Sequence, residues 1–383
     1  MGMPSPETLI VENHKLANNK RTVYFGDLDR VDDAGRHFYA REITIDATIR
    51  VDTTQASMNA AYSGELLYAA IKNLRLKLLG GVNVFGDQID GRRVRDWSYA
   101  RWGALNKNAD PDDVPDADDT DVDTRVKLSI PLGPSLFDAR LMGPQKDRKL
   151  DSGIPLAALD HRIESDAVLS FVEGDVSDLP SNDGLAAPSN GEFFTLNNIK
   201  VSGYWSRPYK SHVPYLDEKV FPSDEKQGRI APDRTVPSRL SLVLIRPQQG
   251  DTSRDVLSTE PLTIHHDNDL VYAAVDADEL ADIMEEKLAT PKQDLPGDFK
   301  DQALPIKLPM PGTPISDLGS GPVRWTVGSF GNLGNLRVLY AEERALPSAA
   351  WAKWARALGV DPASPEPKRI RDVSPDLLNR KAR

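Results

Sequence analysis

The chain has 383 residues, with 47 lysines and arginines against 58 aspartates and glutamates, and its net charge is −11. It contains no cysteine, which excludes disulfide frameworks, thiol nucleophiles, zinc–cysteine sites and iron–sulfur clusters. No apolar run approaches the roughly 18–20 residues of a membrane span, and the first 20 residues lack the apolar core of a secretory signal. Proline is enriched, at 29 residues, or about 7.6% of the chain against a usual ~5%.

The first half of the chain is dominated by strand patterns. Residues 1–24 are predicted to be an arm with a short helix between Glu7 and Lys15. From Glu42 to Thr53 apolar and polar residues alternate with a period of two, which predicts an antiparallel strand with one solvent-exposed face. Further predictions follow in chain order: a helical turn and then a strand within 64–81, an amphipathic helix at 91–105, a loop at 110–123, strands at 124–132 and 167–172, a loop at 174–191 and a strand at 193–207.

The second half of the chain is also dominated by strand patterns. Residues 208–235 show no pattern and are predicted to be a linker or a long surface loop. A helix is predicted from Asp276 to Leu288, where Asp276 is a good N-cap. The other predicted elements are strands at 238–247, 261–266, 270–275, 304–310, 322–330 and 335–343, and a last helix at 347–358.

These patterns predict a mainly all-β protein of two tandem jelly-roll β-sandwiches with short helices and extended terminal arms. No alternation of strands and helices supports a parallel sheet. The predicted bounds are an N-terminal arm at 1–24, a first jelly roll at 25–207, a second jelly roll at 208–345 that includes the linker 208–235, and a C-terminal helix and tail at 346–383.

An aspartate-rich loop is the most conspicuous candidate site, with eight aspartates in residues 110–123. Hard cations such as calcium take six to eight oxygen ligands, which carboxylates supply. The loop lacks the glycine turn and the final glutamate of an EF-hand, so a solvated loop is the first interpretation. A cation loop is the alternative, with the candidate ligands Asp116, Asp118, Asp119, Asp121 and Asp123.

Catalytic signatures are missing from the sequence: there is no nucleophile elbow, phosphate-binding loop or H-E-x-x-H motif. His265 and His266, beside Asp267, are the candidates for a metal site or a general base. Adjacent residues of a strand point to opposite faces, so the two imidazoles do not readily share one metal ion. We therefore predict no catalytic residue, no cofactor and no metal site.

The C-terminal region holds the candidates for contact with partners. Trp351 and Trp354 lie three positions apart on the last predicted helix, and interfaces are enriched in tryptophan. A basic cluster follows in the tail, at Lys368, Arg369 and Arg371. Core packing of the tryptophans and a solvated tail are the alternatives. The acidic chain as a whole predicts no specific nucleic-acid binding.

The order of several segments is similar to that of a known family. They are IKNLRLKLLGG, DGRRVRDWSYARWGAL, RVKLSIPLG, AVLSFVEGD and FTLNNIKVSGYWS in the first half, and LPIKLPM, PVRWTVGSFGNL and NLRVLYAEE in the second. In order and hydrophobic texture they resemble the double jelly-roll major capsid proteins of the tectivirus–adenovirus lineage. The resemblance spans about residues 38–344.

This resemblance implies a structural protein rather than an enzyme. It implies a homotrimer with a pseudo-hexagonal outline, and trimers that tile an icosahedral shell, which in the bacteriophage members lies over an internal membrane. The implied partners are other copies of the chain, penton and minor capsid proteins, and that membrane. The implied location is the virion, after synthesis in the host cytoplasm.

Two other classes of function remain open at this point. A minor capsid protein, a spike or a jelly-roll carbohydrate-binding protein has the same strand pattern. A cupin-like enzyme is the third hypothesis and depends on His265, His266 and Asp267.

Overall fold

The structure is a computed structural model of the chain. It describes residues 7–12, 14–25, 37–52, 64–78, 83–87, 89–102, 121–132, 161–162, 167–179, 186–206, 213–222, 227–231, 238–247, 262–266, 269–274, 304–307, 323–326 and 335–344. The chain divides into two compact units. The first comprises residues 1–98, 106–133 and 162–206, and the second comprises 99–105, 134–161 and 207–383.

The first unit contains two antiparallel sheets. Its strands are β1 (Glu7–Val11), β2 (His14–Ala17), β3 (Lys20–Tyr24), β4 (His37–Val51), β5 (Ile71–Lys77), β6 (Val122–Pro131), β7 (His161–Arg162), β8 (Val168–Glu173) and β9 (Phe194–Ser206). Sheet I has the order β1-β9-β4-β6, with β7 paired to β4, and sheet II has the order β2-β3-β8-β5. Two 3-10 turns, Gly64–Ala70 and Val176–Asp178, and the helix α1 (Gly91–Trp102) lie between strands.

The core of the first unit lies between these two sheets. The alternation predicted for β4 places Ile43, Ile45 and Ile49 on one face, and all three are fully buried. The rings of Phe171 on β8 and Phe194 on β9 pack across the two sheets, with centroids 6.1 Å apart. The period-two pattern therefore identified the core face correctly.

The second unit also contains two antiparallel sheets. Its strands are β10 (Val213–Phe221), β11 (Gln227–Ile230), β12 (Ser238–Pro247), β13 (Leu262–His266), β14 (Asp269–Ala274), β15 (Leu304–Lys307), β16 (Val323–Thr326) and β17 (Leu336–Arg344). Sheet III has the order β10-β17-β12-β15, and sheet IV has the order β11-β16-β13-β14.

Both units wind in the same way. Counted from its first strand, the second unit has the order one, eight, three, six in sheet III and two, seven, four, five in sheet IV. This is the winding of a jelly roll. The first unit has the same winding. Its β2–β3 hairpin corresponds to the second strand of a jelly roll, and the bridge between Lys77 and Asn83 corresponds to the fifth strand. The predicted fold of two tandem jelly rolls is confirmed.

The short helix predicted between Glu7 and Lys15 is wrong, because residues 7–24 of the predicted arm form β1, β2 and β3. Strand β1 pairs with β9, whose residues follow it by almost 200 positions. The β2–β3 hairpin turns through Asn18 and Asn19, whose φ angles are 52° and 58°. Asparagine tolerates this left-handed conformation, which two-residue hairpin turns require.

The predicted linker 208–235 is also wrong in part, since it contains β10 and β11, the first two strands of the second jelly roll. Strand β10 pairs along its whole length with β17, from Val213 opposite Arg344 to Phe221 opposite Leu336. The helices predicted at 276–288 and 347–358 lie outside the described residues.

Helix α1 forms where the amphipathic pattern predicts it. Asp90 caps its first turn by accepting a hydrogen bond from the backbone N–H of Arg93, at 3.0 Å. At Gly91 a Cβ atom would lie 2.3 Å from the carbonyl oxygen of Tyr68, so only glycine allows this approach. The helix is buried on more than one face, because Arg95 is only 1% exposed and Trp97 is fully buried.

Candidate functional site

The outer face of sheet I, opposite the core, carries a paired and buried set of charges. Asp46 on β4 is fully buried and accepts hydrogen bonds from both Nε of Arg125, at 2.9 Å, and Nη2 of the same guanidinium. Asn197 donates a third, at 3.2 Å, from a β-bulge in β9. The bonds from Arg125 hold the pKa of Asp46 below its ordinary value, against the opposing effect of burial.

Glu42 extends the same face of β4 and is only 1% exposed. It accepts a hydrogen bond from the hydroxyl of Ser129 on β6 and another from Thr44, at 3.3 Å. The sequence predicts a solvent-exposed face for this strand, and that prediction is wrong from Glu42 to Asp46. Alternation identifies the side on which a residue lies, but not what covers that side.

Two residues of the predicted cation loop, Asp121 and Asp123, lie within the described residues, and both already bind protein donors. Asp123 accepts a bidentate pair from Arg50 at 2.6 and 2.7 Å. Asp121 accepts the backbone N–H and the hydroxyl of Ser189, both at 2.7 Å, and the amide of Asn190 at 3.2 Å. These bonds lower the pKa of both carboxyl groups.

The other three predicted ligands, Asp116, Asp118 and Asp119, lie outside the described residues. Among the residues that are described, no three acidic or histidine side chains are grouped so as to hold a metal ion. The cation loop therefore stays a prediction. What the structure adds is a role for the end of this loop: Asp121 binds residues 189–190, and Asp123 binds Arg50 of β4.

The outer face of sheet II has a different composition. Register and alternation place five basic residues on it, Lys15, Lys20, Lys72, Arg75 and Lys77, and no acidic residue among the paired positions of its four described strands. Lys72 pairs with Asp178 at 2.7 Å. The other four are exposed. No single segment of the sequence shows this face, since its residues come from three separate strands.

His265 lies in a comparable row on sheet IV. It is directly opposite Arg324 of β16, which in turn is directly opposite Arg229 of β11. Both arginines are exposed and His265 is half-buried. His266 is the next residue of β13. Asp267 lies outside the described residues.

A network of tyrosines and charges joins the first and last strands of the second jelly roll. The hydroxyls of Tyr215 and Tyr340 donate to the same oxygen of Asp217, at 3.2 and 3.0 Å. Arg344 stacks on the ring of Tyr215, 3.3 Å from its centroid, and donates to Glu342 at 2.9 Å. Burial raises the pKa of Tyr215 to about 12 and also raises the pKa of Tyr340, so both hydroxyls remain donors.

The sequence did not reveal this network, because Asp217 and Tyr340 are 123 residues apart. The predicted interaction residues Trp351, Trp354, Lys368, Arg369 and Arg371 lie outside the described residues. Within the part of the chain that is described, no helix has both the length and the apolar character needed to cross a bilayer.

Comparison with known proteins identifies the fold. No protein-family model matches the chain, and no curated protein matches it in sequence. The crystal structure of the STIV major capsid protein matches with a TM-score of 0.51 and 11% identity, over 90% of this chain and 98% of that one. The major capsid protein of bacteriophage PM2 gives 0.46 and 10%, over 89% and 98%. The chain therefore has the double jelly-roll fold of viral major capsid proteins, as the sequence resemblance predicted.

Proposed function

We propose that this chain is the major capsid protein of an icosahedral virus, with three copies forming a pseudo-hexagonal capsomer. The observation that carries the proposal is the tandem repetition of one eight-strand winding. The match to the STIV major capsid protein covers both sandwiches, which supports it further. Two equivalent sandwiches in each chain make six in a trimer, and six equivalent units suit a six-sided capsomer.

The location and partners follow from this proposal. The protein belongs to the capsid of the virion, is made in the host cytoplasm, and contacts copies of itself in the lattice. Penton and minor capsid proteins complete the shell, and a membrane lies beneath it. Lipid extraction from purified particles tests the membrane, because particles without lipid would remove that partner and leave the capsid role intact.

The first experiment is to measure the mass and form of the purified protein. Analytical ultracentrifugation should give three times the chain mass of 42.2 kDa, and electron microscopy should show six-sided capsomers or closed shells. A protein that stays monomeric under all assembly conditions would contradict the proposal.

Copy number separates a major capsid protein from a minor capsid protein or a spike. In purified particles this chain should be the most abundant protein, with enough copies to tile the shell. A few copies at the vertices would instead indicate a penton or a spike. The STIV major capsid protein shares this fold, which supports a structural role over the cupin-like enzyme.

A further inference from the structure

The outer face of sheet II is a basic surface on an acidic protein. Its described strands carry five basic and no acidic residues on that face, whereas the whole chain has a net charge of −11. Lys15, Lys20, Arg75 and Lys77 are exposed, and no described carboxylate forms an ion pair with any of them. Because these four cations form no ion pair within the described residues, they are available to bind a partner.

Apolar groups lie among these cations. Tyr24 is 42% exposed, and Lys15 lies over its ring at 5.8 Å. Val168 and Val172 of β8 are half-buried on the same face. Val172 lies between Lys20 and Lys72, and Val168 lies between Tyr24 and Lys77. Apolar centres bordered by charge are typical of protein–protein contacts.

Sheet IV, the equivalent sheet of the second jelly roll, also carries a row of basic residues. Arg229 and Arg324 face each other directly across β11 and β16, and His265 is the next neighbour across β13. These strands occupy places two, seven and four of the jelly roll, the same places as β3, β8 and β5 in sheet II. Like charges directly opposite each other destabilise a sheet, so folding alone does not account for this row.

We propose that the basic outer face of sheet II docks onto an acidic surface of a second copy of this chain, and that the row on sheet IV serves the same kind of contact. The proposal rests on the proposed capsid function. Copies that each carry a charge of −11 repel one another unless their contacts bring opposite potentials together. The chain has 58 acidic residues against 47 basic ones, so a neighbouring copy supplies carboxylates in excess.

Charge reversal tests the proposal. The first variant carries Lys15→Glu, Arg75→Glu and Lys77→Glu. The matched control carries Lys107→Glu, Lys146→Glu and Lys149→Glu, which change the net charge equally at positions outside the described sheets. Circular dichroism and thermal unfolding establish that both variants are folded. Light scattering against protein concentration then measures assembly.

The sheet II variant should need about tenfold more protein to assemble at low salt, and the control about twofold more. High salt should weaken wild-type assembly and narrow the difference between wild type and variant, because the Debye length falls from about 10 Å at 0.1 M to about 3 Å at 1 M. Equal assembly of the wild type and both variants would overturn the proposal and leave the capsid role standing.

Carbodiimide cross-linking identifies the occupant directly, since it joins lysines to carboxylates in contact. Assemblies made from mixed 14N and 15N chains should give links between copies from Lys15, Lys20 or Lys77. An absence of such links in intact assemblies would overturn the proposal. A second result would also overturn it: the wild type binds single-stranded DNA or anionic phosphatidylglycerol vesicles, and the sheet II variant loses this binding but still assembles normally. A wild-type chain that never assembles would refute the capsid function itself, and this proposal with it.

Discussion

The outer faces of sheets I and II belong to the same jelly roll, yet the charged side chains are buried and paired on one and exposed on the other. On sheet I the carboxylates of Glu42 and Asp46 are buried and bound by donors from neighbouring strands. On sheet II the cations of Lys15 and Arg75 are exposed and have no described carboxylate partner. The comparison teaches that polar alternation in a strand has two different outcomes, one serving stability and the other serving association.

Exposure to solvent explains why the charges on the two faces contribute differently to the free energy of unfolding. A buried charge is costly unless hydrogen bonds replace the water that it loses, so each donor to Glu42 or Asp46 matters for folding. An exposed lysine keeps its water and contributes little to stability. Substitutions on sheet I should therefore change unfolding, whereas single substitutions on the cations of sheet II should leave it almost unchanged.

The largest effect is expected at Glu42. Glu42→Ala removes the acceptor of two hydroxyls in a buried setting and should lower the free energy of unfolding by about 3 kcal/mol. Thr48→Ala is the matched control, since Thr48 is half-buried on the same face of the same strand. Its cost should stay below about 1 kcal/mol. Urea unfolding measures both, and equal losses would show that the buried carboxylate of Glu42 contributes no more than an ordinary polar side chain on that face.

The next effect is expected at Asp46, where Asp46→Asn keeps the shape and removes the charge that Arg125 binds. The free energy of unfolding should fall by about 2 kcal/mol at neutral pH. The pKa of Asp46 is lowered in the folded state, so its contribution is complete above the unfolded value of about 4 and is lost as the pH falls through the folded value. Wild type and variant should therefore converge in acid, and a constant difference down to low pH would contradict the pairing.

A smaller effect is expected where the chain enters β9 of sheet I. Gly191 has a φ of +86°, and a Cβ atom there would lie 2.5 Å from Nη1 of Arg50. Gly191→Ala should lower stability by about 1 kcal/mol through backbone strain. The control is Glu192→Ala, at the next position of the same loop, where the residue is exposed and its φ is not positive. Thermal unfolding measures the difference, and an unchanged Tm for Gly191→Ala would show that the loop adapts freely.

The smallest effect should have the opposite sign. Arg324→Thr on sheet IV removes a like-charge pair with Arg229 and introduces a residue that favours strands, so stability should rise by about 0.5 kcal/mol. Assembly should weaken in the same variant if the row contacts a second copy. A loss of stability would show that Arg324 serves the fold and not a partner.

The sequence by itself determined those strands that have a strong period of two, and which of their faces enter the core. Ile43, Ile45 and Ile49 alternate with polar residues, and this local period is enough to predict β4 and its buried side. The same holds for α1, whose apolar spacing lies within one short segment. The tandem arrangement of two jelly rolls was also predicted, from the order of such segments.

Only the tertiary structure decided the role of segments whose partners are distant. Strands β1 and β10 show no strong period of their own and exist because β9 and β17 pair with them from far along the chain. Distant pairing also explains three other features: the burial of Glu42, the tyrosine pair at Asp217 and the basic face of sheet II. Each depends on which residues a neighbouring strand brings into contact, and a local pattern carries no information about that neighbour because the sheets join residues up to about 200 positions apart.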